Sequence, residues 1–301
     1  TALQPLTGPG LVRDIEERLT VTTQLRTRGK KGVVMATGRL VGMDFSNNGP
    51  HIDTLHFTEG KWRVSSITEQ SPAVVDHTFA SFNDLRESAT LELPGGTKLQ
   101  VVGKALSPEY FIADDDSGLG VNQGSHATIF VPIQTAQKQS GLGHMINSAV
   151  LVVEEGGNIE YLQEAVAGMI EQSLPNYGFS VSTKYEDPVY RMLYESADAD
   201  QQFYHIIGLA ILTVAVFAAF NLTSRILQAQ RREIGIGMAM GAPVVKLALR
   251  PLLTGIQISL LGVILGVGLG LLLNSIMRDV FESTLPLPIW ATPFQLQYFV
   301  W

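Results

Sequence analysis

The chain contains no cysteine and few charged side chains. Only 16% of its 301 residues are Asp, Glu, Lys or Arg, whereas an ordinary soluble domain has about 25%. The absence of cysteine excludes a disulfide scaffold and a zinc site built from thiolates. The net charge of −7 excludes a strongly basic nucleic-acid-binding protein. The first residues lack the basic and apolar regions of a secretory signal peptide, and we expect the chain to begin and end within a longer protein.

The charges are distributed unevenly between two parts of the chain. Residues 1–200 contain 15 Lys and Arg and 25 Asp and Glu, a net charge of −10. Residues 201–301 contain only 6 basic and 3 acidic residues. This pattern predicts an acidic domain in water, followed by a part suited to a less polar solvent.

Two segments of the second part are long enough to cross a membrane. No Asp, Glu, Lys or Arg occurs in residues 203–224 or 251–277, and a helix needs roughly 20 apolar residues to cross the hydrocarbon layer. The alternative is a pair of helices buried in a large soluble core, but core helices of this length carry a polar face. Residues 295–301 have the aromatic-rich composition of the start of a further span.

The segment between the two spans is basic. It contains five basic residues and one acidic residue: Arg225, Arg231, Arg232, Lys246, Arg250 and Glu233. Short loops rich in Lys and Arg stay in the cytoplasm, because moving their charges across the bilayer is costly. We therefore expect a multi-pass protein of the cytoplasmic (inner) membrane, with its large domain on the extracytoplasmic side.

The first part of the chain is predicted to form an α+β domain. Short apolar runs bounded by turn residues predict strands over residues 19–25, 32–41, 55–57, 74–75, 91–93, 99–102, 128–131, 149–153 and 179–184. Pro94, Gly95 and Gly96 predict a hairpin turn. A helix from Asn158 to about Leu174 is predicted between the last two strands. The expected fold is a β-rich subdomain plus a small βαβ-type subdomain, joined to transmembrane α-helices.

These predictions together give a domain organisation. We expect an extracytoplasmic domain over residues 1–187, a helical extension over 188–202, membrane helices over 203–224 and 251–277, a cytoplasmic segment over 225–250, an outer loop over 278–294, and the start of a truncated helix over 295–301.

The outer domain shows no catalytic or metal-binding pattern. Its histidines are scattered without the H-E-x-x-H spacing of a zinc enzyme. Gly118, Gly120 and Gly124 lack the preceding strand and following helix of a phosphate-binding loop. The acidic run 114–116 is typical of a solvated loop, with a calcium site as the alternative.

The most informative segment is the one predicted to lie in the cytoplasm. Its charged cluster Arg231-Arg232-Glu233 is followed by small and apolar residues. Ile234, Met238 and Met240 have no core of their own in so short a segment, and exposed apolar residues rimmed by charge are typical of a partner surface. The flexible Met side chains suit a contact that repacks. The alternative is a basic loop lying on anionic headgroups.

This segment resembles a family signature. The sequence Gln230-Arg-Arg-Glu-Ile-Gly-Ile-Gly-Met-Ala-Met-Gly-Ala242 resembles the coupling-helix signature of FtsX/MacB-type ABC transporter permeases, which is R-R-E-I-G, a few apolar positions, then a-l-G-A. Pro243 stands where a polar residue is commoner. Residues 71–76, 93–97 and 101–103 are also similar to recurrent strands of this family's extracytoplasmic domain. The family unit has four spans, so the resemblance implies that the first is missing here and the fourth is only begun.

The resemblance implies a transport subunit that is not an enzyme. No G-x-x-x-x-G-K-[ST] motif occurs, so ATP and Mg²⁺ would be bound by a separate ABC ATP-binding subunit and no cofactor is expected in this chain. That subunit would drive export, extraction of a substrate or mechanotransmission through the coupling helix. Other implied partners are the lipid bilayer, a second permease half in a homodimer or pseudo-dimer, and an extracytoplasmic protein, but no nucleic acid.

The resemblance and the spacing of small residues define the expected site residues. Those expected to contact the ATPase subunit are Arg231, Arg232, Glu233, Ile234, Gly235, Gly237, Met238, Met240 and Gly241. Gly262, Gly266 and Gly270 are four residues apart, a spacing that predicts close packing against another helix. The alternative function is a membrane-anchored sensory or signalling protein with an outer ligand-binding domain, which an adjacent ATP-binding-cassette gene would disfavour. A membrane-tethered hydrolase would need a catalytic pair that the sequence does not reveal.

Overall fold

The computed structural model describes residues 12–30, 32–46, 49–62, 71–111, 114–115, 118–119, 124–153, 159–284, 287 and 289. The chain divides into two units, one over Thr1–Val189 with Glu282–Trp301 and the other over Tyr190–Phe281.

The first unit combines a large sheet with short helices. Its described strands are β1 (Val12–Gly29), β2 (Gly32–Met43), β3 (His56–Gly60), β4 (Ser71–Asp76), β5 (Thr90–Glu92), β6 (Lys98–Leu106), β7 (Asp114–Asp115), β8 (Gly118–Leu119), β9 (His126–Pro132) and β10 (Ser148–Val153). Its described helices are α1 (His77–Phe82), α2 (Ile133–Ser140) and α3 (Ile159–Ser173). The mixed α and β content that we predicted for this part of the chain is therefore present.

The large sheet closes on itself. Its order is β10-β1-β2-β9-β4-β6-β3, and β5 pairs with both β1 and β6. The strands β1-β2-β9-β4-β6-β5 therefore form a ring, which leaves fewer unpaired sheet edges. Leu19, Leu40, Leu99 and Ile129 are fully buried in a core cluster that also includes Phe79 of α1.

The predicted hairpin at residues 94–96 is confirmed. Glu92 of β5 pairs with Lys98 of β6 in antiparallel register, and residues 93–96 form a tight turn between them, in which the N–H of Gly96 donates to the oxygen of Leu93 at 3.2 Å. Gly95 and Gly96 both have φ of +81°, a left-handed conformation that glycine adopts without steric cost.

The smaller subdomain differs from the predicted βαβ arrangement. α3 is present close to its predicted bounds, but the predicted strand over residues 179–184 is wrong, since the structure contains no strand there. The backbone oxygen of Val181 instead accepts a hydrogen bond from the side chain of Gln163 at 2.7 Å. β10 pairs antiparallel with the first part of β1. The second strand of this subdomain is therefore β1, and not residues 179–184 as predicted.

The second unit consists of helices. They are α4 (Pro188–Ala229), whose first two residues belong to the first unit, α5 (Arg231–Ala239) and α6 (Val244–Thr284). The predicted helical extension and the first apolar segment therefore belong to one helix. α6 begins seven residues before Pro251, where we had expected the second span to start.

The two long helices have the length and composition of membrane spans. In the described residues, the most apolar stretch of each contains no buried side chain. A helix buried in a soluble core would hide these side chains, so their exposure disfavours that alternative. An apolar helix with its whole circumference exposed is typical of contact with lipid or with further apolar helices.

Candidate functional site

α5 is a short helix between the ends of two long ones. The N–H of Gln230 donates to the oxygen of Ile226, and its carbonyl accepts from the N–H of Ile234, both at 3.0 Å. Glu233 lies in the first turn of α5, where the helix dipole stabilises a negative charge. The cluster Arg231-Arg232-Glu233 thus forms the N-terminal turn of this helix.

The other end of α5 is closed by a Schellman motif. The N–H of Ala242 donates to the oxygen of Gly237 at 3.1 Å, and the N–H of Gly241 donates to the oxygen of Met238 at 3.0 Å. Gly241 has φ of +81°, the left-handed conformation that this motif requires. The Gly241-Ala242 pair of the signature therefore stops the helix and returns the chain toward α6.

Gly237 allows α5 to approach α6 closely. It is the buried residue of α5, and a Cβ atom built on it would lie 2.9 Å from the Cδ2 atom of Leu247. Such a distance is too short for two carbon atoms in contact. A side chain at this position would therefore require the Leu247 side chain to move.

The inner face of α5 borders an apolar groove of about 840 Å³. Ile234 and Met238 of α5 line it together with Leu227 of α4 and with Leu252 and Ile256 of α6. Ile234 and Gly237 thus face the long helices, while Met238 is 48% exposed at the rim of the groove.

The opposite face of α5 carries charged and apolar side chains that are exposed. Arg232, Ile236 and Met240 follow one another at a spacing of four residues, which places them on one side of a helix. Ile236 is 51% exposed and Met240 is 78% exposed, and the flanking Glu233 is also exposed. This outer face of α5, defined by Arg232, Glu233, Ile236 and Met240, can combine ionic and apolar contacts with a partner.

The structure divides the predicted contact residues into two groups. Those exposed to solvent are Arg231, Arg232, Glu233, Gly235, Met238, Met240 and Gly241. Ile234 and Gly237 instead hold α5 against the rest of the unit. Sequence reasoning overlooked Ile236, although its spacing from Arg232 and Met240 could have identified it.

The predicted helix-packing glycines lie in α6. Beyond the neighbouring residues and backbone of α6 itself, no described atom comes within 4 Å of a Cβ atom built on Gly262, Gly266 or Gly270. Their close packing against another helix stays a prediction, and the described residues provide no partner for it.

A serine and a histidine lie together in the first unit. The Oγ atom of Ser81 is 3.2 Å from Nε2 of His77, and the Oγ1 atom of Thr58 is 2.7 Å from Nδ1. Burial and the nearby Lys104 ammonium lower the pKa of His77. A hydroxyl in place of a carboxylate cannot offset the charge of an imidazolium, so this arrangement does not support a hydrolase. The sequence prediction missed the pair because α1 itself was not predicted.

The first unit also contains a buried ion cluster on β1. Arg18 is fully buried, and its guanidinium donates to Glu16 at 3.0 Å and to the carboxylate of Glu109. Burial raises the pKa of Glu109, although Arg18 opposes this effect. Burial and the charge of Glu109 raise the pKa of Tyr110 to about 12. The cluster joins residues far apart in the sequence, since Glu109 follows Arg18 by 91 residues.

The comparisons with known proteins concern both parts of the chain. Residues 205–300 match the family described as FtsX-like permease C-terminal. In structure, the chain is similar to the extracellular domain of the noncanonic ABC-type transporter YknZ from Gram-positive bacteria, with 12% identity, 60% of this chain and 87% of that chain covered, and a TM-score of 0.40. It is also similar to the periplasmic region of MacB from Actinobacillus actinomycetemcomitans, with 12% identity, coverage of 59% and 83%, and a TM-score of 0.34. No curated protein matches the chain.

The family match includes most of α4, all of α5 and all of α6. It thus contains the signature at residues 230–242, on which the resemblance was based. Residues 205–300 are therefore similar to the C-terminal domain of FtsX-like permeases.

Proposed function

We propose that the chain is the permease subunit of an ATP-driven ABC transporter, and that the outer face of α5 docks onto the ATP-binding subunit. The FtsX-like domain over residues 205–300 supports the class of protein. The observation that carries the docking proposal is the geometry of α5, a nine-residue helix that exposes Arg232 and Ile236 on one side, followed by its exposed C-cap Met240.

The structure of α5 is suited to transmitting a displacement from the ATP-binding subunit to α4 and α6. Its C-terminus is closed by two backbone hydrogen bonds, and the buried Gly237 faces the side chain of Leu247. A well-packed contact of this kind has low compressibility. Displacement of α5 by a closing ATPase dimer therefore moves the ends of α4 and α6 instead of deforming α5.

The direction of transmission follows from the charges. The basic residues around α5 favour a cytoplasmic location, and the acidic first part of the chain then lies on the extracytoplasmic side. The continuity of α4 from Pro188 to Ala229 supports a rigid connection toward that side. The resulting work is export, extraction of a substrate or mechanotransmission to an extracytoplasmic partner.

In this proposal, the chain also contacts a second permease half and the lipid bilayer. An ABC transporter needs two permease halves, which a homodimer or a pseudo-dimer supplies. Gly262, Gly266 and Gly270 then provide a close-packing surface for a neighbouring membrane helix, and the other apolar side chains of α4 and α6 face the lipid bilayer.

The docking proposal is tested by crosslinking from α5. Because the chain has no cysteine, Met240→Cys introduces a single reactive thiol at the most exposed apolar position of the outer face. In membranes that contain the co-expressed ABC ATPase subunit, a thiol-directed crosslinker should join the two subunits. Met145→Cys in the first unit, where Met145 is also exposed, at 55%, is the control. Equal yields from both thiols, or none from Met240→Cys, would contradict the docking proposal.

A charge reversal tests the same contact functionally. Glu233→Arg should leave expression and membrane insertion unchanged, because Glu233 is exposed. It should weaken co-purification of the ATPase subunit by about tenfold or more and uncouple ATP hydrolysis from transport. Glu164→Arg, a reversal at an exposed position of α3, is the control. Normal coupled activity of Glu233→Arg would contradict the proposal, and failure of any ATPase to co-purify would favour the signalling alternative.

A further inference from the structure

The acidic first part of the chain contains a long stretch without acidic residues. No Asp or Glu occurs between Glu17 and Asp44, whereas six Lys or Arg residues do. This concentration of positive charge within a region of net charge −10 suggests a local function, because random placement would intersperse acids among these residues.

The β1–β2 hairpin brings several of these cations to one surface. Arg26 pairs with Met35 and Arg28 pairs with Val33, and residues directly opposite each other in a sheet share a face. Met35 is 74% exposed and Val33 is 53% exposed, so this is the outer face of the hairpin. Both arginines are also exposed.

The outer face of the hairpin borders a cleft of about 620 Å³. Arg26, Arg28 and Lys30 line one side, and Arg86 and Ser88 of the segment before β5 line the other. In the described part of the chain, none of these four cations has a carboxylate oxygen within 4.0 Å. The cleft is of the size that small-ligand sites have, and its cations are free to bind a ligand.

Two acidic residues also line this cationic cleft. Glu92 is partly neutralised, since its Oε1 atom lies 4.0 Å from Nζ of Lys98. Asp84 is exposed and has φ of +49°. With four cations against these two acids, the cleft keeps a positive charge in a domain whose net charge is negative.

We propose that the cationic cleft binds a phosphoryl group. Three of its four cations are arginines, whose planar guanidinium groups bind phosphate oxygens in pairs. An extended acidic peptide fits less well, because peptides of this kind add to an unpaired strand edge. At Arg26, β1 is already paired with β2 on one side and with β5 on the other. The site thus favours a compact phosphoryl group over a polymer strand.

The first test measures binding of inorganic pyrophosphate to the full chain in detergent, by calorimetry in a phosphate-free buffer. Binding should be saturable and should weaken as the salt concentration rises. The triple variant Arg26→Gln/Arg28→Gln/Arg86→Gln should bind at least about tenfold more weakly, because each charged hydrogen bond contributes to affinity. The control Lys138→Gln, at an exposed cation of α2, should bind like the wild type. Equal binding by wild type and triple variant, or no binding by the wild type, would overturn the proposal.

A gain of affinity provides an independent check. Asp84→Asn removes a negative charge from the cleft without changing the side-chain shape, and asparagine tolerates a positive φ. This variant should bind pyrophosphate severalfold more tightly than the wild type. Unchanged or weaker binding would show that the ligand does not enter the cleft beside Asp84, which would overturn the assignment.

A final pair of measurements distinguishes the sources of the phosphoryl group. The full chain in phosphatidylcholine nanodiscs is mixed with phosphatidylcholine vesicles, with or without phosphatidylglycerol, and separately with inorganic phosphate. If the wild type, but not the triple variant, floats with the vesicles only when they contain phosphatidylglycerol, the ligand is a lipid headgroup. If the wild type, but not the triple variant, binds inorganic phosphate and neither kind of vesicle, the ligand is soluble. Tighter binding of a polyglutamate peptide than of pyrophosphate would overturn the phosphoryl assignment. None of these measurements involves the ATPase, so they are independent of the proposed transport function.

Discussion

Gly241 determines where α5 ends. Its φ of +81° is one that residues with a Cβ atom adopt only with strain, and apart from its chain neighbours no described atom lies within 4 Å of a Cβ atom built there. The requirement for glycine is therefore conformational and not steric. Gly235, also in α5, has open space around it but an ordinary helical backbone, so the two glycines should respond oppositely to substitution.

Gly241→Ala should destabilise the end of α5 by about 1 kcal/mol. The amide protons of Gly237 to Ala242 should then exchange about fivefold faster, as measured by hydrogen–deuterium exchange of the full chain in detergent. Gly235→Ala should instead slow exchange, because alanine favours the helix. If both substitutions have the same effect, the Schellman motif does not limit the stability of α5.

Asp76 is both a helix cap and a titrating group. Its carboxylate accepts the N–H of Phe79 at 2.9 Å at the start of α1. Burial nevertheless raises the pKa of Asp76 to about 6, with the hydrogen bonds from Phe79 and Thr78 opposing it. Because the folded state holds the proton more tightly than the unfolded state, this group stabilises the fold fully below pH 3.8 and loses that contribution as the pH rises through about 6.

Asp76→Asn should remove this pH dependence while keeping the cap, because the asparagine side-chain oxygen also accepts a backbone N–H. Relative to the wild type, the variant should gain on the order of 2 kcal/mol between pH 4 and pH 7. Urea unfolding of the full chain in detergent, followed by Trp62 fluorescence after Trp290→Phe and Trp301→Phe, measures the difference. If the difference in unfolding free energy between the variant and the wild type does not change with pH, ionisation of the Asp76 carboxylate does not destabilise the fold.

At the scale of elements, β1 connects two parts of the first unit. Arg18 lies where the pairing of β1 changes from β10 to β2. Its guanidinium binds Glu16 of the same strand, Glu109 after β6 and, at 3.4 Å, Asp53 before β3. Glu16 in turn accepts the N–H groups of His51 and Ile52, both at 2.9 Å. The cluster thereby ties two loops to the strand at the point where its partner changes.

Arg18→Ala should destabilise the first unit by about 3–5 kcal/mol, because it leaves Glu16 buried without its counter-ion. The free energy of unfolding from the urea experiment described above measures this change. The exposed Arg13, on the same strand, gives the control Arg13→Ala, which should cost less than about 0.5 kcal/mol. The double variant Glu16→Gln/Arg18→Met should be more stable than Arg18→Ala. If it is not, the unpaired charge of Glu16 is not what destabilises Arg18→Ala.

The elements also differ in how well the sequence predicts them. The β5–β6 hairpin was predicted because Pro94, Gly95 and Gly96 force a turn through local backbone preferences. The strand predicted over residues 179–184 is wrong because its pattern did not reveal that β10 pairs with β1, more than a hundred residues earlier in the chain. Ile236 was overlooked for a different reason. Its exposure depends on which face of α5 packs against Leu247 and α6.

At the scale of the whole molecule, the charge distribution predicts orientation. Five basic residues and one acidic residue lie between the two apolar segments, and the large first part of the chain is acidic. This asymmetry predicts a cytoplasmic location for the α5 region. The docking proposal requires that location, since ATP is hydrolysed there.

Two single-cysteine variants test the orientation. In intact spheroplasts, a membrane-impermeant maleimide should label Met145→Cys, while Met240→Cys should be labelled only after the membrane is permeabilised. Both positions are exposed, so a difference in labelling reports the side of the membrane on which each position lies. Labelling of Met240→Cys in intact spheroplasts would place α5 on the wrong side and would exclude contact with a cytoplasmic ATPase.

The sequence by itself determined the two apolar helices, the α5 signature and the β5–β6 hairpin. These features depend on local composition, helix length and turn chemistry, all of which act within a few neighbouring residues. Only the tertiary structure decided the closed ring of strands, the Arg18 cluster and the cationic cleft. Each of these joins side chains that are far apart along the chain, such as Arg18 with Glu109 and Arg26 with Arg86. Their proximity results from strand pairing, which no local pattern specifies.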